Sequence, residues 1–409
     1  MKNKILNWMN YEFLLVMLCQ VLMELGDQLL SISFAVQLYK TFGTGAALST
    51  YYFVRTVPTF LLGPPAGVVI DRFDKKKLVI ATCLITSLII ALLPVSKSIL
   101  SLLVITFVLS SATTLFNPSI HSILPLVIRK DYLLEANSFI AATESIARFA
   151  APLLSALLVG VFGSAAGFYA TAIVTAMAGL ILLPLWVPVI QTTAEGQFSL
   201  PSVYHNIVEG IKYVFQSKLL VWITIVVSCV MLADTTVSPL FSIMVARELH
   251  TEPASIGYLS SLWGIGFLFG NFLLPFLKRI RLNILFFSGV FCIGLQMGLY
   301  SIIPQFWMTI PLQIICGLGF AFSFSTMRTI VQSVSTSNIV GRVLVSISTC
   351  YSFISLFGIK IGGFITDTMG VRIVFLYGSI ICLAAAVAFL MLFGFSKTPE
   401  DLTSGIGHH

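Results

Sequence analysis

Charged side chains are scarce in this sequence of 409 residues: Lys, Arg, Asp and Glu together make up 10%, whereas hydrophobic residues make up 57%. Soluble domains of ordinary composition carry about 25% charged residues. So little charge cannot cover a water-exposed surface, which excludes a soluble globular enzyme, a disordered chain and a nucleic-acid-binding module. The composition instead predicts a protein whose surroundings are mostly lipid.

The sequence also lacks the short motifs that carry common chemistry. It contains no G-x-x-x-x-G-K-[ST], H-E-x-x-H or G-x-S-x-G motif, so we expect neither ATP hydrolysis nor metal- or serine-based catalysis. None of its seven cysteines form a C-x-x-C pair, which argues against a disulfide framework or a zinc site. We therefore expect a protein that is not an enzyme and that carries no cofactor and no metal.

Long hydrophobic runs are abundant. A membrane-spanning helix needs roughly 20 apolar residues, so twelve need roughly 240, and 57% of 409 residues is about 233. This sum predicts an all-α membrane protein with twelve transmembrane helices. Polar breaks place the candidate spans at about 12–39, 45–70, 78–96, 98–127, 137–161, 164–187, 219–244, 255–277, 283–303, 305–333, 341–366 and 371–395.

Positive charge is distributed unevenly between the predicted loops. With the N-terminus inside, the inner loops and tails hold 15 Lys and Arg residues and the outer loops hold 4. Cytoplasmic loops of membrane proteins are enriched in these residues. The asymmetry therefore predicts both termini in the cytoplasm of a cell, in a multi-pass protein of the cytoplasmic (inner) membrane. It also explains the net charge of +7 through membrane lipids, without a nucleic-acid partner.

The longest predicted connection divides the chain into two six-helix halves. We predict an N-terminal six-helix bundle at 1–187, a cytoplasmic linker at 188–218, and a C-terminal six-helix bundle with a tail at 219–409. The linker should contain an amphipathic helix at the inner membrane surface, acting as a tether between the halves. Its apolar face would be formed by Val203, Ile207, Ile211 and Val214.

An internal repeat relates the two halves at an offset of 207 residues. Gly26-Asp27 aligns with Ala233-Asp234, and Gly63 aligns with Gly270. The aspartate match is informative because the chain contains few aspartates. Parallel duplicated halves are a known transporter design, with the substrate site at the interface of the halves near the midplane.

A few charges fall inside the predicted spans, where an ionisable group costs about 2.5–3.5 kcal/mol or more and marks a functional site by default. At roughly 1.5 Å per residue, four of them lie in one layer about 20–24 Å from the inner side. We predict that these four form a proton-coupling cluster, while a static ion pair between helices 1 and 2 is the structural alternative. The four residues are Glu24, Asp27, Arg55 and Asp234.

Four further charges are candidates for the cavity or substrate site. Glu144 and Arg148 stand at i, i+4 on one helix, a spacing that favours an intrahelical ion pair. Arg328 and Lys360 lie within later spans. Arg328 could line an inner vestibule or simply reach the headgroups.

A short stretch after the second span resembles the loop signature of the major facilitator superfamily, G-x-x-x-D-R-x-G-R-K. It reads Gly67-Val-Val-Ile-Asp71-Arg72-Phe-Asp-Lys75-Lys76-Lys. The resemblance implies the major facilitator fold, and it implies that this loop is a conformational gate. The gating residues would be Gly67, Asp71, Arg72, Lys75 and Lys76.

Other stretches are similar to the macrolide-efflux branch of the drug:proton antiporters. Leu25-Gly26-Asp27, Pro64-Pro65-Ala-Gly67 and the linker pair Glu209-Gly210 carry this similarity. In span 5, Ala151-Pro152 lies in a stretch that resembles the antiporter motif G-x-x-x-G-P-x-x-G-G, with Ala or Ser at every glycine. Many such antiporters carry an Arg in the middle of helix 4, and the equivalent stretch at 106–112 has none.

The resemblance and the buried charges together predict a monomeric, proton-coupled exporter of lipophilic drug-like compounds in a bacterial membrane, a role in multidrug efflux and antibiotic resistance. Its partners would be a small-molecule substrate, protons and lipids. One alternative is an exporter of a specific physiological compound such as a siderophore, peptide antibiotic or lysolipid. Another is a membrane sensor that transports nothing.

Overall fold

The computed structural model describes residues 10–96, 98–129, 132–186, 209–252, 255–277, 279–335 and 339–393. These residues form helices joined by short turns, and no strand occurs among them. The first six long helices are α1 Tyr11–Thr41, α2 Gly45–Arg72, α3 Lys75–Ala91, α4 Ile99–Val127, α5 Leu133–Phe162 and α6 Ser164–Leu180. The next six are α7 Lys218–Val237, α8 Ser255–Leu273, α9 Leu282–Ile302, α10 Thr309–Val334, α11 Val340–Met369 and α12 Val371–Phe393.

Several of these helices continue into tighter or wider turns. After α7 the chain stays helical through Ser238–Leu240, Phe241–Ile243 and a π-helical segment at Met244–Glu248. Within the described part of the chain, nine helical stretches are long and apolar enough to cross a membrane. The all-helical fold class is confirmed, while the number of crossings and the sidedness of the termini stay predictions.

The predicted repeat is present in the backbone. Adding 207 to the bounds of α5 gives those of α11, and adding 207 to Ile99–Val127 gives the helical stretch Phe306–Val334. Gly163 and Gly370, also 207 apart, both have positive φ angles, 83° and 93°. Glycine adopts this conformation without steric cost, so each ends a long helix at an equivalent point.

Helix packing repeats as well. In the first half α1 packs against α5 and α6, and α3 packs against α4 and α6. In the second half α7 packs against α11 and α12, and α9 packs against α10 and α12. Each of the four helix pairs in the first half therefore has an equivalent pair in the second half.

The described residues fall into two compact units. The first unit comprises Met1–Thr41, Val54–Ser199 and Ile256–Ser261. The second comprises Phe42–Phe53, Leu200–Ser255 and Leu262–His409. Two helices are thus divided: the first residues of α2 belong to the second unit, and the first residues of α8 belong to the first.

The predicted linker helix lies partly outside the described residues, since Val203 and Ile207 fall there. Residues 209–216 are helical and pack within the second unit. Glu209 forms an ion pair with Arg342 at the start of α11, and the Tyr213 hydroxyl donates to the carbonyl oxygen of Val334 at 3.3 Å. These contacts fix the end of the linker to α10 and α11, and its role as a tether stays a prediction.

Close helix crossings depend on glycine. A Cβ atom on Gly317 of α10 would lie 2.0 Å from the carbonyl oxygen of Trp263, and one on Gly266 of α8 would lie 2.1 Å from that of Ile314. The two backbones therefore touch at this crossing. Small residues allow such an approach between membrane helices.

Replacing Gly317 by valine is expected to force α8 and α10 apart. Overpacking of this kind costs about 1–3 kcal/mol or more. We expect a lower thermal unfolding midpoint in detergent micelles, followed by the loss of helical circular dichroism. The control is Gly160→Val, the same change at an exposed glycine of α5. Equal midpoints for the two variants would show that the crossing tolerates a larger separation.

Candidate functional site

A cavity of about 410 Å³ opens within the first unit. Its size suits a small-molecule ligand. Among the described residues that line it there are three carboxylates and no Lys, Arg or His side chain. The lining residues are Gln20, Met23, Glu24, Asp27, Thr59, Thr113, Thr114, Phe116, Asn117, Pro118 and Glu144.

Helix α1 supplies the polar face of this cavity. Gln20, Glu24 and Asp27 are spaced i, i+4 and i+7, so they lie along one side of the helix. That side contacts α5, which carries Glu144 and Arg148. The α-helical spacing of α1 therefore brings its acidic residues to the cavity.

Asp27 is paired with Arg55 of α2. Their ion pair joins Nη2 of Arg55 to Oδ1 of Asp27 at 2.6 Å. The side chain of Asp27 is 52% exposed and that of Arg55 28% exposed. The carboxylate thus keeps access to the cavity while its other side is held by the guanidinium.

Glu24 is paired with Arg148 of α5. Nε of Arg148 lies 3.0 Å from Oε1 of Glu24, and Nη2 lies 3.5 Å from Oε2. Gln28 donates a further hydrogen bond to Glu24 at 3.1 Å. The intrahelical pair predicted between Glu144 and Arg148 is wrong, because Arg148 reaches across to α1, where Glu24 offers both oxygens.

Glu144 therefore has a neutral partner. Nε2 of Gln20 donates to its Oε1 at 2.7 Å, and the same nitrogen lies 3.5 Å from Nε2 of His121. The described residues give Glu144 no Lys or Arg partner. The Gln20 amide donates a hydrogen bond to one carboxylate oxygen of Glu144 without adding positive charge. The negative charge of Glu144 in the cavity is therefore not balanced by a cation among the described residues.

Asp234 occupies the position in the second unit that is equivalent to Asp27. It lies on α7, and no described residue forms a hydrogen bond or an ion pair with its side chain. The position equivalent to Arg55 is Leu262. The second half therefore repeats the aspartate but has no arginine at the position of its partner.

The two later cations are placed differently. Arg328 is exposed on α10 and lies near Tyr351, the residue equivalent to Glu144. Lys360 of α11 donates to the Thr50 hydroxyl at 2.8 Å and lies 5.1 Å from the centre of the Phe53 ring. Lys360 is therefore engaged by two residues of α2.

The predicted gating residues lie at the end of α2 and the start of α3. The side chains of Gly67, Asp71 and Arg72 fall outside the described residues. Lys75 begins α3, and Nζ of Lys76 donates to the carbonyl oxygen of Leu183 at 2.7 Å.

Helix α3 is capped by a residue that no site prediction included. The Asp74 side chain accepts from the backbone N–H of Lys77 at 3.2 Å. An aspartate is a preferred residue at such an N-cap, so the acid of this loop has a structural use.

The predicted helix-5 motif lies where α5 approaches the start of α8 closely. Ala151 is fully buried and Pro152 lies inside α5. A Cβ atom on Gly257 of α8 would lie 2.4 Å from the carbonyl oxygen of Pro152. Small residues in place of the motif's glycines thus preserve close packing.

Three residues that line the cavity or join helices were not predicted from the sequence. Gln20 and Asn117 line the cavity, and Asp367 binds the start of α2 through two backbone N–H groups. The position of Gln20, one turn before Glu24 on the same helix face, was the available signal. Asp367 and its partners are 322 and 321 residues apart, so no local pattern could connect them.

Known proteins resemble the chain over most of its length. Macrolide efflux protein A of Streptococcus pyogenes is 24% identical over 365 residues, covering 86% of this chain and 89% of the relative. Macrolide efflux protein A of Enterococcus faecalis is 22% identical over 295 residues, covering 70% and 91%.

A solved structure shares the fold. The crystal structure of the nucleoside transporter NupG matches with a TM-score of 0.75 at 14% identity, covering 95% of this chain and 100% of that one. The family model of the transmembrane secretion effectors matches residues 11–405. With this match over nearly the whole chain, the protein belongs to the transmembrane secretion effector family of the major facilitator superfamily.

Proposed function

We propose that this protein is a proton-coupled secondary active exporter of lipophilic drug-like compounds, working by alternating access. It would cross a bacterial cytoplasmic membrane twelve times, with both termini inside. Membership of a transporter family and the macrolide-efflux relatives support the transport class and the substrate type. The chain would act as a monomer in contact with membrane lipids.

The acidic cavity of the first unit carries the proposal. Glu24, Asp27 and Glu144 provide three carboxylates, whereas Arg55 and Arg148 provide two positive charges beside them. One negative charge is left over when all five groups are ionised. Met23 and Phe116 supply apolar surface, so the cavity suits an apolar molecule that carries one positive charge.

Proton coupling would use the paired carboxylates. When Asp27 takes up a proton, it loses the charge that holds Arg55 at 2.6 Å. The arginine is then free to move, and α1 and α2 lose one of their links. Protonation would thus be converted into a change of helix contacts, with Glu24 and Arg148 acting in the same way. Asp234, which no described cation neutralises, would be a third proton-binding residue.

Export of one specific physiological compound stays an alternative, provided that the compound is a cation. An anionic cargo has less support, because Arg148 is bound to Glu24 and Lys360 to Thr50 and Phe53. A sensor that transports nothing would need no acidic cavity. We therefore keep export of an organic cation as the proposed function.

Reconstituted vesicles with an acidic interior test the proposal. The purified protein should drive uptake of ethidium and of a radiolabelled amino-sugar macrolide, because outward-moving protons would exchange for entering cargo. A protonophore should abolish this uptake. Protein-free vesicles should show no ethidium uptake, and of the macrolide, a membrane-permeant weak base, only the amount trapped passively by the acidic interior, which is subtracted. Uptake that ignores the pH gradient would overturn the coupling, and no uptake of either compound would overturn the substrate assignment.

A further inference from the structure

Three sulfur-bearing side chains lie beside the cavity of the first unit. The thiol of Cys83 on α3 donates to the thioether of Met23 on α1, with 3.8 Å between the two sulfur atoms. Cys19 stands one turn before Met23 on the same face of α1, at the i, i+4 spacing that brings two side chains together. Cys19 and Cys83 belong to one hydrophobic cluster, and Met23 packs against it. We call Cys19, Met23 and Cys83 the sulfur cluster.

Helix α6 holds the two sulfur-bearing helices together, because it packs against both α1 and α3. A Cβ atom on Gly179 of α6 would lie 2.9 Å from Cβ of Cys83. A Cβ atom on Gly26 of α1 would lie 3.0 Å from the hydroxyl of Thr175 on α6. Thr175 and Gly179 are one turn apart, so α6 holds α1 and α3 at the same level. Close helix packing thus places Cys83 beside Met23.

The separation of the sulfur atoms suits a soft metal ion. Thiolate and thioether sulfurs are the ligands that select Cu⁺ and similar ions. A three-coordinate ion bound at about 2.3 Å, the metal–sulfur length of zinc–thiolate sites, holds its sulfur ligands about 4 Å apart. The 3.8 Å between Cys83 and Met23 is close to this value. Two ligands are therefore already spaced for an ion.

The burial of the sulfur cluster favours a monovalent ion. Cys19 and Cys83 are fully buried, and an uncompensated charge is costly in such surroundings. A monovalent ion that displaces one thiol proton leaves the net charge unchanged, whereas a divalent ion would add a charge. Structural zinc sites also take four ligands. Among the described residues, no group of three His, Cys, Asp or Glu side chains could hold a metal ion, so the third ligand here is a thioether.

The cavity offers a path for a cation to the sulfur cluster. Met23 is one of its lining residues. The three carboxylates of the cavity outnumber the two arginines paired with them, and a cleft with an excess of negative charge attracts cations. A cation in the cavity therefore meets the Met23 thioether before it meets either thiol.

We propose that Cys19, Met23 and Cys83 form a binding site for a soft monovalent metal ion such as Cu⁺ or Ag⁺. Cys83 would bind as a thiolate and release its proton to solvent, while Met23 binds as a thioether and Cys19 as a neutral thiol. The oxidation state of the ion does not change. The absence of a C-x-x-C pair predicted no metal site, but 60 residues separate Met23 from Cys83, so no local motif could reveal this one. The site goes beyond the proposed export function.

Titration with Cu⁺ under anaerobic conditions tests the site in the purified full-length protein. Cu⁺ is supplied as its coloured complex with bicinchoninate, so loss of colour reports transfer of the ion to the protein. We expect one Cu⁺ per chain, one proton released per ion and a higher thermal unfolding midpoint. The other five cysteines would be replaced by alanine, so that only Cys19 and Cys83 remain. These five are Cys229, Cys292, Cys316, Cys350 and Cys382.

Removing one ligand should weaken binding in this background. Met23→Leu should lower the affinity for Cu⁺ about 10- to 100-fold, the range seen when the surroundings of a metal ion are disturbed. Cys83→Ala should lower it at least as much, because it removes the thiolate. Met17→Leu is the matched control, the same change at a methionine of α1 that packs against the same cluster, and it should bind Cu⁺ normally. Met23→Leu keeps the test valid if Cys83→Ala does not fold.

Three results would overturn the site. Absence of Cu⁺ transfer from bicinchoninate would mean that the sulfur cluster is only core packing. Equal affinities of Met23→Leu and Met17→Leu would mean that the thiols bind Cu⁺ adventitiously, without the thioether. Displacement of Cu⁺ by equimolar Zn²⁺ would contradict a monovalent site. None of these measurements uses a cargo or a pH gradient, so the metal site and the export function can fail independently.

Discussion

Replacing Asp27 by asparagine is expected to reduce gradient-driven cargo accumulation to the level of protein-free vesicles. Asparagine can still accept a hydrogen bond from Arg55, so the geometry of the 2.6 Å contact can persist. It cannot take up or release a proton, so the link between the pH gradient and the helix contacts is lost. The loss should be specific to coupled transport.

The stability of the fold should change little in the same variant. The Asp27 side chain is 52% exposed, and exposed ion pairs contribute only about 0.2–1 kcal/mol. The free energy of unfolding should therefore fall by no more than about 1 kcal/mol. Asp27→Glu should retain coupling, and Glu252→Gln serves as the neutral control. Full accumulation by Asp27→Asn would remove Asp27 from the coupling cluster.

Replacing Glu144 by glutamine is expected to remove the preference of the cavity for cations. Glutamine has the same size and can still accept from Gln20, whose Nε2 lies 2.7 Å from the carboxylate. Only the uncompensated negative charge is lost. A charge-assisted hydrogen bond or ion contact is worth about 1.5–3 kcal/mol, so the affinity for a cation should fall about 10- to 100-fold.

Equilibrium dialysis with tetraphenylphosphonium and tetraphenylborate measures this effect, since the two ions have the same shape and opposite charge. The unaltered protein should bind the cation and exclude the anion, whereas Glu144→Gln should bind the two more equally. Glu252→Gln, which removes an exposed acid outside the cavity, should behave like the unaltered protein. Unchanged cation affinity in Glu144→Gln would show that Glu144 is not the residue that recognises the charge.

The positions of the helices could be predicted from the sequence, because the hydrophobic runs and the internal repeat both constrain them. The offset of 207 found from Asp27 and Asp234 also relates the bounds of α5 to those of α11 and Gly163 to Gly370. A hydrophobic run lies within one segment of the chain, and the repeat compares two such segments position by position. They predict where helices begin and end without any knowledge of their neighbours.

Only part of the charge pairing could be predicted from the sequence. The proximity of Arg55 to an acid of α1 followed from the equal depth of adjacent helices, and the structure selects Asp27. Arg148 had two acids within reach, and the i, i+4 rule favoured Glu144. The structure pairs it with Glu24 instead, because the packing of α1 on α5 places a carboxylate there. Packing between helices decided this choice.

Simultaneous recording of cargo and proton movement tests the central claim most directly. Proteoliposomes with a trapped pH indicator, held at zero membrane potential without an initial pH gradient, would receive ethidium on one side. The account predicts that ethidium flowing down its gradient drives protons in the opposite direction, and that Asp27→Asn abolishes this proton flux. Ethidium movement without any change of internal pH in the unaltered protein would contradict proton-coupled export.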